Sequence, residues 1–190
     1  MFDLSLYNDE FFEWHLKHAR EYSIKTMDWF LDSFDVRSVV DFGCGIGSYL
    51  ECAHGRGLEV KGYEISESAK KYTPESIQPF IEYRDCTQPF YVKGYDCVIS
   101  FETAEHIEPK GTRQFIDNIL KATQGYLLFT AAPPGQQGTG HINMKSRGWW
   151  VDQFERDLSY MQKTTEVISA HWAKLGAPKY ICDNLIVCTR

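Results

Sequence analysis

The sequence predicts an α/β fold, a doubly wound and mostly parallel seven-stranded sheet with helices on both faces. Three observations carry the prediction. Short apolar, β-branched runs alternate with stretches of helical periodicity along most of the chain. Alternation of that kind needs crossover connections, and these produce parallel strands. One junction, Val39-Val40-Asp41-Phe42-Gly43-Cys44-Gly45-Ile46-Gly47, sets three glycines at alternate positions between a strand and a helix start. Glycine there permits a φ > 0 turn and lets a ligand reach the backbone.

The elements follow in order. Residues 9–32 hold Phe11, Trp14, Ala19, Tyr22, Met27 and Phe30 near helical spacing and predict one or two amphipathic helices. The first strand covers about 37–42, and a helix over about 47–55 ends near Gly55 or Gly57. The second strand is 58–64 by its alternation. Ser66 caps a short helix through Tyr72, and Thr73-Pro74 restarts one, with proline at the tolerated first position. Strands follow at 80–83 and 95–100, then a helix at 111–123 with Phe115, Ile116, Ile119 and Leu120 on one face, then a strand at 126–130. A Pro- and Gly-rich loop spans 132–146, long enough to suggest a functional segment. The chain finishes as a helix at 147–157 that Ser146 caps, a strand at 159–163, a helix at 165–175 and a strand at 180–189.

In an open α/β sheet, ligands bind beyond the carboxyl ends of the strands, so the residues after each strand are the candidates. The first strand leads into the glycine turn. The second ends at Glu64, placed as an acid that accepts from both hydroxyls of a ribose. The third ends at Arg84-Asp85-Cys86, where the acid is either an adenine contact or a turn aspartate. The fourth ends Phe101-Glu102-Thr103-Ala104-Glu105-His106-Ile107.

Composition narrows the classes. The 190 residues are 43% hydrophobic and 24% charged, enough for one core and ordinary for a globular domain. A net charge of −6 without a long basic run gives no support to a nucleic-acid partner. No apolar run reaches transmembrane length, and Met1-Phe2-Asp3-Leu4 lacks the pattern of a leader. Six cysteines, none in a C-x-x-C pair, point to a reducing, cytoplasmic setting rather than disulfides or zinc. His15 and His18 share a helix face but show no third ligand, so no metal is expected.

The run Asp41-x-Gly43-Cys44-Gly45-x-Gly47 resembles motif I of class I S-adenosyl-L-methionine (SAM)-dependent methyltransferases, and Glu105-His106-Ile107 resembles the run after strand four in small-molecule members of the ubiquinone-biosynthesis type. The likeness covers residues 36–131 best. It implies a last strand that runs antiparallel. It also implies one domain over 1–190: a helical lid at 1–35, a cofactor-binding core at 36–131, and a substrate loop with the sheet edge at 132–190. The methionine end of SAM would lie against Asp41, Gly43 and Gly45, beside Cys44 and Gly47, with S-adenosyl-L-homocysteine as product. Glu64 would hold the ribose, Ile65 the adenine face, and Asp85 and Cys86 the adenine edge, with Phe101 and Glu102 near the sulfonium.

Methyl transfer is an in-line displacement that depends on positioning. A base is needed only for a protonated acceptor. His141, within the glycine-rich loop, is the expected base, and His106 the second candidate. Tyr7 and Trp149 are the expected acceptor contacts. The acceptor expected is a small or sugar-like molecule methylated at O or N, and the chain a monomer or a homodimer paired through an edge near 180–189. The alternative is a NAD(P)-dependent Rossmann-type oxidoreductase. Against it, Ser48 stands where that fingerprint has its last glycine, and no Tyr-x-x-x-Lys pair follows strand four.

Overall fold

The computed structural model describes residues 4–190; the first three residues, part of the segment read as leaderless, lie outside them. Helices α1 (Asp9–His18) and α2 (Arg20–Ser33) lead in, separated at Ala19. Asn8 caps α1, its side chain accepting from the Phe11 N–H at 3.2 Å. Then come β1 (Ser38–Phe42), α3 (Ser48–Gly55), β2 (Glu59–Glu64), β3 (Ile81–Tyr83), β4 (Tyr95–Phe101), α4 (Thr112–Ala122) and β5 (Thr123–Thr130). The chain closes with α5 (Arg147–Phe154), β6 (Ser159–Tyr160), α6 (Gln162–Lys174), α7 (Lys179–Asn184) and β7 (Ile186–Thr189).

The sheet order is β3-β2-β1-β4-β5-β7-β6. Strands β1 to β5 pair in parallel, and β7 runs antiparallel to both β5 and β6. The doubly wound sheet with one antiparallel strand is as expected. Strand alternation sends successive side chains to opposite faces. Val40, Val98, Leu127 and Phe129 therefore pack under α4 and α5. Val39, Cys97, Ile99, Leu128 and Val187 pack under α2, α3 and α6. The direction of winding reverses between β1 and β4, which places the switch point at the end of β1.

Four local expectations are corrected. The segment 180–189, read as one strand for its Tyr, Ile and Cys, divides into α7 and the four-residue β7. Pro178 precedes the helix with φ at −59°, Lys179 and Asp183 pair across one turn, and Ile181 and Cys182 turn into the core. Strand β7 lies inside the sheet, paired on both sides, so it offers no free edge for a dimer. After Pro74 the chain makes turns and a 3₁₀ helix at Gln78–Phe80 rather than a restarted α-helix. The Ser66 hydroxyl caps no helix; it donates to the Tyr7 carbonyl at 2.8 Å and ties the N-terminal segment to the end of β2. No helix among the described residues is long and apolar enough to cross a membrane.

Candidate active site

The glycine turn begins where β1 ends. Gly43, Gly45 and Gly47 have φ of +83°, +54° and +77°. The N–H groups of Gly43 and Cys44 both donate to the Tyr63 carbonyl, at 2.8 and 3.0 Å, which pins the turn to β2. The three glycines answer different demands. A Cβ on Gly43 would stand 2.4 Å from Thr103 Oγ1, and one on Gly47 would stand 2.5 Å from Ile77 Cδ1. A Cβ on Gly45 would meet nothing within 4 Å, because that residue faces an open cavity. Gly47 lies behind the wall, in left-handed conformation at the start of α3.

The cavity has a volume of about 840 Å³, in the upper part of the range for small-molecule sites. It brings together Asp41, Gly43, Cys44, Gly45, Glu64, Ile65, Asp85, Cys86, Phe101, Glu102, His106, His141 and Tyr7. The parallel registers explain why. Asp41 pairs with Gly62 on one side and Ile99 on the other, so the ends of β1, β2 and β4 open onto the same space. The aromatic side chains Phe11, Phe12, Trp14 and His15 roof it from α1.

Asp41 is buried, and burial followed by the nearby Glu64 charge raises its carboxyl well above the usual range. Glu64 is a hub of backbone donors. One oxygen accepts from Gly45 N–H at 2.9 Å and the other from Ile65 and Ser66 N–H, both at 2.8 Å. Burial raises its pKa and these three bonds oppose the rise. Asp85 takes the turn reading while still lining the cavity: one oxygen accepts from the Thr87 N–H at 2.8 Å and the Thr87 hydroxyl at 2.6 Å. Phe101 stacks edge-on against Tyr49 at 4.8 Å.

Among the described residues, Glu102 is the non-glycine residue with positive φ, at +48°. The Thr130 carbonyl and hydroxyl hold this turn by accepting from its N–H at 3.1 and 2.9 Å. Its carboxylate accepts from Gln136 at 3.0 Å and Asn184 at 3.3 Å. Glu105 is fully buried beside it. Burial, with the Glu102 charge added, pushes the Glu105 carboxyl up to about 8. The Glu105 carbonyl accepts from both Ile142 and Asn143 N–H at 2.9 Å, which anchors the 132–146 loop to the end of β4. That anchor is why His141 meets His106, with ring centroids 5.0 Å apart. The ring of Tyr7 stands edge-on to His106 at 5.6 Å. Burial lowers the His106 pKa to about 4, so the imidazole is neutral at ordinary pH.

Trp149 does not line the cavity, which corrects its expected place at the acceptor. The Ser146 cap sets it on the outer turn of α5, against Trp150 and under the Lys145 ammonium. Sequence reasoning passed over Tyr49, Thr103, Gln136 and Asn184. Only Glu102 and Glu105, two acids three residues apart, carried a signal for the paired carboxyls. His18 turns back to the Trp14 carbonyl at 2.8 Å and leaves His15 alone at the cavity.

A parallel sheet whose first strand ends in this glycine turn, with acids closing the next strands around one cavity, defines an α/β enzyme built for an adenosine cofactor. The chain belongs to the methyltransferase-domain family, whose model matches residues 14–167, and is a class I SAM-dependent methyltransferase. No curated protein sequence matches it. Among solved structures it is similar to a SAM-dependent methyltransferase from Archaeoglobus fulgidus, at 18% identity and a TM-score of 0.64, over 95% of this chain and 99% of that one. It is also similar to the magnesium protoporphyrin IX methyltransferase of Synechocystis PCC 6803, solved with bound SAM, at 16% identity and a TM-score of 0.64, over 90% and 79%. A third is CalS10, an amino pentose methyltransferase from Micromonospora echinaspora, at 15% and 0.63, over 88% and 89%. At these identities the likeness is one of fold.

The cavity fits SAM on its own geometry. Gly45 leaves open the volume that any side chain would fill. The Glu64 carboxylate offers about four lone-pair positions, of which three meet backbone N–H groups, so an acceptor position remains for a ribose hydroxyl.

Proposed function

We propose that this methyltransferase acts on an oxygen or nitrogen of a small or sugar-like molecule. The observation that carries the reading is the cavity itself: one space of about 840 Å³ holds the glycine turn, Glu64 and the His106–His141 corner under an aromatic roof. Two of the similar structures are named for small acceptors, an amino pentose and a magnesium porphyrin. The oxidoreductase alternative is not favoured, since the family match and the glycine spacing both oppose it.

In this reading the chain divides its labour as the sequence suggested, with a lid at 1–35, a cofactor core at 36–131, and the substrate loop and sheet edge at 132–190. Asp41 and the turn hold the methionine end, Glu64 the ribose, Ile65, Asp85 and Cys86 the adenine, and Phe101 and Glu102 flank the reacting end. SAM supplies a methyl group already activated by the sulfonium charge. The protein's task is alignment and exclusion of water, which the α1 aromatics and the 132–146 loop perform. An acceptor hydroxyl or ammonium must also lose a proton. The Glu105–His106–His141 corner is where the chain provides for that loss, with His141 central to it.

The test is calorimetric titration of SAM and NAD into wild type and His141→Ala, with turnover followed on a panel of small acceptors. SAM binding in both proteins and turnover in wild type alone support the reading. Binding of NAD instead of SAM overturns the cofactor assignment, and full turnover by His141→Ala removes His141 from the chemistry.

A further inference from the structure

Glu105, His106 and His141 each present one ligand-type atom, and these atoms lie within 4.8 Å of one another. Their hydrogen bonds sort the lone pairs. His106 Nδ1 is 3.1 Å from the Gly140 carbonyl, and His141 Nδ1 is 3.2 Å from the Gln136 carbonyl. A carbonyl only accepts, so each Nδ1 carries the proton and each Nε2 keeps a lone pair. Glu105 is fully buried. Its Oε1 accepts from the Ala132 N–H at 3.2 Å and lies 4.0 Å from His141 Nε2, while its Oε2 meets no donor. The Glu102 carboxyl stands directly against it. Acceptors thus converge on one corner of the cavity.

A buried carboxylate oxygen without a donor is costly. A proton shared between Glu102 and Glu105 would relieve the two acids, yet leave both imidazole Nε2 lone pairs unengaged. A divalent cation relieves all of them. A backbone carbonyl holding Nδ1–H is also the outer contact that orients an imidazole toward a metal. The spacing is within reach. A point equidistant from three atoms 4.8 Å apart is about 2.8 Å from each, and zinc–nitrogen bonds are about 2.0–2.1 Å, so each side chain must move less than about 1 Å.

We propose that Glu105, His106 and His141 form a binding site for a divalent cation of the first-row transition type. Two imidazoles and a carboxylate favour Zn²⁺, Co²⁺ or Fe²⁺ over Mg²⁺ or Ca²⁺. Glu105 lies buried behind the wall while His106 and His141 line the cavity, so an open position on that side is available to an acceptor oxygen. The role in catalysis, though not the binding, rests on the methyltransferase reading. It narrows the acceptor to a hydroxyl. Coordination lowers the hydroxyl's pKa, its proton passes to water, and the oxygen's electron pair forms the new O–CH₃ bond while the C–S bond breaks and sulfur keeps the pair. The imidazoles then serve as ligands rather than as free bases.

The test uses the chelator-treated full chain. Zn²⁺ is titrated by calorimetry and Co²⁺ by its visible absorption, in wild type, Glu105→Gln, His106→Ala and His141→Ala, with SAM titrated separately into each. The expected result is one equivalent of cation in wild type, an affinity lower by about tenfold or more in each variant, and SAM affinity retained. Should Glu105→Gln fail to fold, the two histidine variants decide. A wild type that binds SAM but no cation overturns this proposal and leaves the methyltransferase reading intact. Cation affinity unchanged by His106→Ala and His141→Ala also overturns it. Loss of SAM binding in wild type overturns the methyltransferase reading instead, and the cation titration stands by itself.

Discussion

Gly45→Ala separates the cofactor's demand on the glycine turn from the fold's. Gly45 sits at φ +54° with nothing within 4 Å of the missing Cβ. The methyl group meets no protein atom, so the fold loses only the left-handed backbone preference, about 1–2 kcal/mol. For a chain of this size that lowers Tm by about 2–8 °C. The same methyl projects into the cavity where the cofactor must approach the backbone, and SAM affinity should fall by at least about tenfold, or 1.4 kcal/mol. Gly47→Ala is the counterpart. It carries the same strain, and its Cβ would stand 2.5 Å from Ile77 Cδ1, which adds about 1–3 kcal/mol of overpacking. Gly47 lies outside the cavity wall, so the loss should fall on Tm more than on affinity. Thermal melts and SAM calorimetry on both variants give the comparison. A Gly45→Ala protein that binds SAM as wild type does would show that the cofactor does not pass over this residue, and the motif placement would be wrong.

Glu64→Ala removes a carboxylate that binds three backbone N–H groups, so it should abolish measurable SAM binding and also lower Tm; unchanged SAM affinity would refute the ribose assignment. In metal-free protein, Glu105 has a folded pKa of about 8 against an ordinary value of 4.5. The folded state therefore holds a proton that the unfolded state has released, and this group's stabilising contribution is lost as pH rises from about 4.5 to 8. Subtracting the melts of Glu105→Gln from those of wild type across that range should show the decline, and a flat difference would refute it. Trp149→Ala should leave SAM affinity and acceptor KM unchanged while lowering Tm, since the side chain packs on α5 away from the cavity; a raised KM would return it to the acceptor site.

The parallel half of the sheet was legible because its strands are buried on both faces. Val39-Val40 and Cys97-Val98-Ile99 read as continuous apolar runs, and only a central strand needs them. The glycine turn was legible because each glycine there has a steric or conformational cause. The C-terminal third was harder. Tyr180-Ile181-Cys182 has strand-like residue types, but Pro178 and the burial of Ile181 and Cys182 on one helix face decide for α7. Trp149 was misplaced because adjacent tryptophans at a helix start look alike in sequence, and which one faces inward depends on the rotation of α5. At the site, the strand-end acids were visible from spacing. The convergence of Glu105 with His141 was not, because it depends on the Glu105 carbonyl capturing two N–H groups of a loop that lies 37 and 38 residues further along the chain.

The position of β7 between β5 and β6 carries a consequence for biosynthesis. A chain made from its N-terminus completes β5 long before residues 186–189 exist. Until they arrive, the Tyr126–Phe129 edge has its hydrogen-bonding groups unpaired and its apolar side chains half-covered. Asn184, which reaches back to Glu102, is likewise absent. The nascent protein must therefore shield an adhesive sheet edge from the completion of β5 until β7 is made, and the Glu102 corner of the cavity is completed at the same moment as the sheet.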